Sequence, residues 1–157
     1  GNDPRMGADS MVQLGKQFTL HYASLAHAGY WRESRVCFQG QEFNHPLICR
    51  KAQTHTGSLP SRWGLLTISH ANVVLSSLKP GPDGATILRV YETTGVATPG
   101  VQIKFNAAVS GADEADLLEQ STRRLEVEHN ALRFDLAPFE IKTFKLNLDT
   151  IPTNETI

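Results

Sequence analysis

Cysteine is nearly absent. Cys37 and Cys49 are the only two, twelve positions apart, with no CxxC and no histidine at ligand spacing beside them. That usage excludes the disulfide framework of a small secreted domain and indicates neither a redox motif nor a zinc finger. The pair is expected as buried free thiols in a reducing compartment, with one disulfide as the alternative that spacing leaves open. Charge of one sign is also lacking: 15 Lys plus Arg face 16 Asp plus Glu, for a formal charge of −1. No basic field is present to attract nucleic acid or anionic lipid. No apolar run approaches the roughly 20 residues needed to span a bilayer, and no apolar signal segment opens the chain. A soluble, cytoplasmic chain with neither nucleic acid nor membrane as partner is the expectation.

Catalytic signatures are missing as well. The six histidines show no H-x-H or H-E-x-x-H pattern, so no metal site and no cofactor is expected within the chain. There is no Gly-x-Ser-x-Gly elbow. Residues 95–100 carry Pro99 just before Gly100 and read as a loop between strands rather than a phosphate cradle. The acids Glu33, Glu42, Asp83, Glu126, Glu128 and Asp135 fall in expected turns or on polar strand faces, and no pair stands out as the two carboxylates a glycosidase needs.

What is present is alternation of period two, the mark of half-buried strands. Phe18, Leu20 and Tyr22 alternate with polar residues, as do Val101, Ile103 and Phe105. Leu66 and Ile68, a turn at 69–72 and Val73–Leu78 read as one hairpin; Leu125 and Val127, a turn at 129–131 and Leu132–Leu136 read as a second. Two prolines and two glycines within 79–84 mark a turn before a strand over Ala85–Thr93. Ile141–Leu148 is the last strand. Ser34–Phe43 is expected to be irregular or to form one or two helical turns, and Ala115–Glu119 to be a strand. An all-β fold follows, an antiparallel β-sandwich of about nine strands. At 157 residues a single domain is the prior. Residues 1–14 read as an expression remnant or linker, 15–149 as the domain, and 150–157 as a polar tail in which Asn154-Glu155-Thr156 fits the N-x-T pattern.

Arg89 and Glu92 are charged groups on an otherwise apolar strand, where a lone buried charge costs several kcal/mol and a partner is required. That requirement is met either by a structural ion pair or inter-domain contact, or by one of them facing a neighbouring substrate cleft. Tyr91 shares the strand. His27 is either a hydrogen-bonded loop histidine or a cleft-edge residue. Tyr30, Trp31 and Trp63 lie in loop-like segments, where they either cover a core edge or interface or offer faces on which a sugar could stack.

Six blocks carry a resemblance that runs in order from about Gln17 to Leu148. They are Phe18–Trp31 with its His-x-Gly loop, Phe43-Asn44-His45-Pro46-Leu47, and Leu66-Thr67-Ile68 with Val73–Lys79. After them come Ile87-Leu88-Arg89-Val90-Tyr91-Glu92, Asp116-Leu117-Leu118-Glu119, and Pro138-Phe139-Glu140-Ile141-Lys142-Thr143. The chain resembles the C-terminal β-domain of glycoside hydrolase family 38, the α-mannosidases. The resemblance implies a parent with an N-terminal catalytic domain, which holds an Asp nucleophile and a zinc ion, and a helical middle. None of those motifs occurs in this sequence, so no catalytic or metal residue carries over. It further implies that this domain supports a retaining, zinc-dependent α-mannosidase and is silent alone. Its partners would be the parent's catalytic and middle domains and, through them, mannose-containing glycans. His27, Arg89, Tyr91 and Glu92 are then interface or cleft-edge candidates. A carbohydrate-binding module using Tyr30, Trp31 or Trp63 is the competing expectation, and a purely structural assembly domain a third.

Overall fold

A computed structural model describes residues 17, 19–54, 56–57 and 60–149. Among these, eight strands follow one helix: α1 (Val36–Asn44), β1 (Leu66–Ile68), β2 (Val73–Pro80), β3 (Thr86–Glu92), β4 (Thr98–Phe105), β5 (Val109–Ala115), β6 (Ser121–Leu125), β7 (Ala131–Leu136) and β8 (Ile141–Leu148). They form two antiparallel sheets, one of order β1-β4-β7 and one of order β2-β3-β8-β5-β6. The expected all-β sandwich is what the chain adopts.

The core lies where the alternating apolar faces of the two sheets meet, which is why period two was the governing signal. Leu88, Val90, Ala112, Phe144 and Leu146 come from the larger sheet; Val101, Ile103, Phe105, Leu132, Phe134 and Leu136 come from the smaller. The rings of Phe134 and Phe144 meet across the interface with centroids 4.7 Å apart, tilted by 48°. The outer face of the larger sheet is covered at one point. Ile87 is fully buried there beneath Gly81, where an added Cβ would come within 2.7 Å of the isoleucine side chain.

Both expected hairpins are corrected by the pairing. β1 pairs with β4 and β2 with β3, so residues 69–72 cross from one sheet to the other instead of turning within one. The Ser69 amide continues the β1–β4 ladder by donating to Gln102 O at 2.9 Å, while the Asn72 side chain reaches Glu92 and Thr98. After β6 the turn at His129-Asn130 does form, with φ of 51° and 58° and a single bridge from Glu128 to Ala131. These are the paired positive φ values of a type I′ turn. β6 and β7 nevertheless join opposite sheets. Alternation reports that a strand has a buried face; it does not report which neighbour shares its ladder.

The strand expected at Ala115–Glu119 ends at Ala115. The Asp116 carboxylate accepts the amides of Leu118 and Gln120, each at 2.9 Å, and Glu119 takes φ of 67°. An aspartate that captures amides two and four residues on competes directly with a ladder. Ser34–Phe43 overlaps all but the last residue of the helix α1, begun by Arg35 at φ of 54° with no side-chain cap. Leu20 and Tyr22, expected on a strand with Phe18, sit exposed in a stretch without regular structure, and Phe18 is outside the described residues. Among the described residues no strand pairs with that segment. Cys37 is half-buried and Cys49 exposed, both free, so the expectation of buried thiols holds only in their being unpaired. The proposed glycosylation pattern at Asn154 also falls outside the described residues.

Replacing Phe144 by Ala removes a fully buried ring from the seam between the sheets. It is expected to lower unfolding stability by about 3–5 kcal/mol. Urea titration checks this, and a loss below 1 kcal/mol would contradict a core centred on the Phe134–Phe144 contact.

Candidate functional site

The end of β3 carries the most unusual electrostatics in the chain. By alternation Glu92 falls on the core side of its strand with Leu88 and Val90, and it is 1% exposed. A carboxylate there survives only if its lone pairs are filled. Oε1 accepts the Asn72 amide at 3.0 Å, the Thr94 backbone N–H at 2.7 Å and the Thr94 hydroxyl. Oε2 accepts the backbone N–H groups of Gly95 at 2.6 Å, Val96 at 3.3 Å and Phe139 at 3.0 Å. Gly95, at φ of 71°, lets the loop curl back over the carboxylate. Burial alone would raise the Glu92 pKa, but the hydrogen bonds from the Thr94 hydroxyl, the Phe139 and Thr94 amides and Asn72 outweigh it and hold it at about 2.

Beside this loop end the segment before and into α1 leaves a cleft of about 490 Å³. Trp31, Arg35, Cys37, Asn72, Thr93 and Thr94 are among the residues that line it. Trp31 is 40% exposed and stacks beneath the Arg32 guanidinium, 5.3 Å from the ring centroid. Tyr91, on the opposite face of β3 from Glu92, accepts the Gln41 side-chain amide at 3.1 Å and so ties α1 to the sheet. His27 lines a second cleft, about 580 Å³, with Leu25, Phe43 and Asn44, and its Nδ1 lies 3.4 Å from Ala28 O. Tyr30 and Trp63 line neither cleft; both are exposed.

Arg89 and Glu92 do not meet. Arg89 points to the outer face, where Nε donates to the buried Thr143 hydroxyl at 2.9 Å and Nη2 to Leu117 O at 3.2 Å. Glu119 lies 3.7 Å from the same guanidinium and 2.7 Å from Lys79. The structure therefore gathers Glu92 and Trp31 around one end of the sandwich, places Tyr91 against α1, and leaves His27, Arg89, Tyr30 and Trp63 apart.

Asn72, Thr94 and Phe139 went unnoticed in the sequence, although Glu92-Thr93-Thr94-Gly95 held the clue. An acid ending an apolar strand just before a threonine and a glycine can fold its own loop amides onto itself. Glu114 was also missed. It lies between Arg123 at 2.6 Å and Lys142 at 2.9 Å. Burial acts to raise its pKa, and the hydrogen bonds and charges of Lys142 and Arg123 outweigh that and lower it. Among the described residues no three His, Cys, Asp or Glu side chains converge as a metal-binding group.

Residues 72–144, which contain every member of the Glu92 cluster, match the family described as "Glycosyl hydrolases family 38 C-terminal beta sandwich domain". Most of the sandwich, from the crossing before β2 into β8, is thus similar to that domain. The chain is also 28% identical over 152 residues to "Alpha-mannosidase 2C1" of Mus musculus, an alignment that takes in 92% of this chain. It spans 14% of the length of that relative.

A folded-state pKa of about 2 against an ordinary 4.5 means that Glu92 stabilises the fold fully above about pH 4.5 and ceases to do so as pH falls toward 2. The contribution is on the order of 3 kcal/mol. Glu92→Gln is expected to destabilise the chain by a comparable amount at pH 7, with the deficit relative to wild type shrinking between pH 4.5 and pH 3. Urea unfolding of both proteins across that window is the check. A deficit that stays constant would show that ionised Glu92 is not the tie; Glu114 supplies a shared residual slope.

Proposed function

We propose that this family 38 C-terminal sandwich belongs to a retaining, zinc-dependent α-mannosidase acting on terminal α-D-mannosides, and that it supports the catalytic domain without being catalytic itself. Support for the activity comes from the family match and from the similarity to a relative named as an α-mannosidase. The observation that carries the non-catalytic role is the state of the carboxylates. A retaining glycosidase needs one carboxyl group with a raised pKa as acid and a free nucleophile about 5–5.5 Å away. Glu92 and Glu114 are instead both lowered, and their oxygens are filled by amides, hydroxyls, Lys142 and Arg123. Neither can deliver a proton near neutral pH or attack a sugar carbon.

In this reading the domain's partners are the catalytic and middle domains of the longer enzyme, which hold the zinc and the nucleophile, and glycans are reached only through them. His27, exposed at the second cleft, is the candidate left free to meet a neighbouring domain. Arg89, Tyr91 and Glu92 are used within the chain. No helix among the described residues is long and apolar enough to cross a membrane; the cytoplasmic placement rests on cysteine usage alone. One observation favours the second reading, an independent carbohydrate-binding module: Trp31 opens onto the 490 Å³ cleft between polar loop residues.

The purified chain and the longer enzyme are to be assayed on an aryl α-mannoside, with zinc present and chelated. Turnover is expected from the longer enzyme only, lost on chelation, and lost or much reduced when this domain is deleted. Hydrolysis by the chain alone would overturn the reading. Mannoside binding by the chain that disappears in Trp31→Ala would replace it with the binding-module reading.

A further inference from the structure

The turn between β7 and β8 places a residue where its own backbone chemistry argues against it. Ala137 O accepts the Glu140 amide at 3.1 Å, Pro138 occupies the second position and Phe139 the third, at φ of 59°. That is the pattern of a type II turn, whose third position favours Gly or Asn because a Cβ is strained there. The position holds a phenylalanine instead, and that residue is 59% exposed. The ring is not idle or loosely placed. It lies over Gly95 so closely that a Cβ added to that glycine would come within 2.5 Å of the ring. The Phe139 amide is fixed by the same Glu92 oxygen that holds Gly95 and Val96.

Strain of this kind persists where the surroundings over-determine it, and it marks positions with a task beyond local folding. With the amides of 94, 95, 96 and 139 all turned inward to one carboxylate, what the tip offers outward is apolar. The Phe139 ring is joined by Val96 and by Ile141, both about half exposed. A rigid aromatic whose backbone is already immobilised loses little further freedom on binding, which is the character of an interface anchor.

We infer that Phe139 is the anchor by which this sandwich docks into an apolar pocket on an adjoining domain of the longer mannosidase. The occupant follows from the proportions of the match: the chain spans 14% of its relative, so most of such a protein lies outside it and is available to cover this tip. The inference rests on the proposed function and adds to it the residue that makes the contact. The turn geometry separates docking from folding. Phe139→Asn removes the ring and installs a residue that the left-handed conformation accepts.

The substitution is to be made in this chain and in the longer enzyme, with thermal unfolding followed in both and thermal inactivation in the enzyme. In the chain the midpoint is expected to stay unchanged or to rise. In the longer enzyme it is expected to fall by several degrees, and the half-life at a fixed inactivating temperature to shorten roughly tenfold or more. An equal drop in both would assign Phe139 to local packing over Gly95 and overturn the inference. No drop in either would overturn it as well, as would self-association or mannoside binding of the chain that the substitution abolishes. Deleting the whole domain from the enzyme separates the two levels: tolerance of that deletion sinks the supporting role itself, whereas sensitivity to it together with indifference to Phe139→Asn sinks only the anchor.

Discussion

One ionised carboxylate fixes an entire end of this sandwich. Glu92 sits where a charge is costly, and its two oxygens collect donors from three separate connections: Asn72 after β1, Thr94 to Val96 after β3, and Phe139 after β7. Each of those connections carries the chain from one sheet to the other. The hydrophobic seam holds the sheets together but is non-directional. Directional bonds to a single acceptor fix how the crossings sit relative to one another, and removing the charge would strand amides buried for its sake. Asn130 plays a smaller version of this part elsewhere, accepting Phe105 N–H on its carbonyl at 2.8 Å and Val109 N–H on its side chain at 3.2 Å.

Other acids are engaged in the same way, each by partners of its own. Glu92 closes loops, Asp116 ends β5, Glu114 joins Arg123 and Lys142, and Glu119 balances Lys79 and Arg89. Asp135 holds the Gly100 amide at 2.7 Å, where β4 bulges against β7. No buried polar side-chain atom among the described residues lacks a partner. Each of these carboxylates already has a structural task within the sandwich.

Legibility in the sequence divided along the range of the interactions. The strands over Val73–Leu78, Ala85–Thr93, Val101–Phe105, Leu132–Leu136 and Ile141–Leu148 could be read because each has an apolar face of its own. Partners could not be read: Leu66–Ile68 finds β4 some 35 residues later, and nothing local announces it. The same limit governed the site. That Arg89 and Glu92 needed partners was plain from their apolar strand, but the alternation that puts them on opposite faces also sends them to unrelated partners. Leu20 and Tyr22 show the converse, an alternating pattern that remains exposed and outside either sheet.

What the sequence determined by itself is the class of fold, the identity of most strands and, through six ordered blocks, a resemblance to one family. These depend on period, turn residues and motif order, all of which are local properties that survive in one dimension. The tertiary structure alone decided that β1 and β2, and β6 and β7, part company into different sheets. It alone decided that Glu92 ties three crossings together, and that Phe139 stands exposed at the tip with its amide held by that carboxylate. Those outcomes depend on which distant amides and rings are brought within about 3–4 Å of one another, and packing of the whole chain sets such distances.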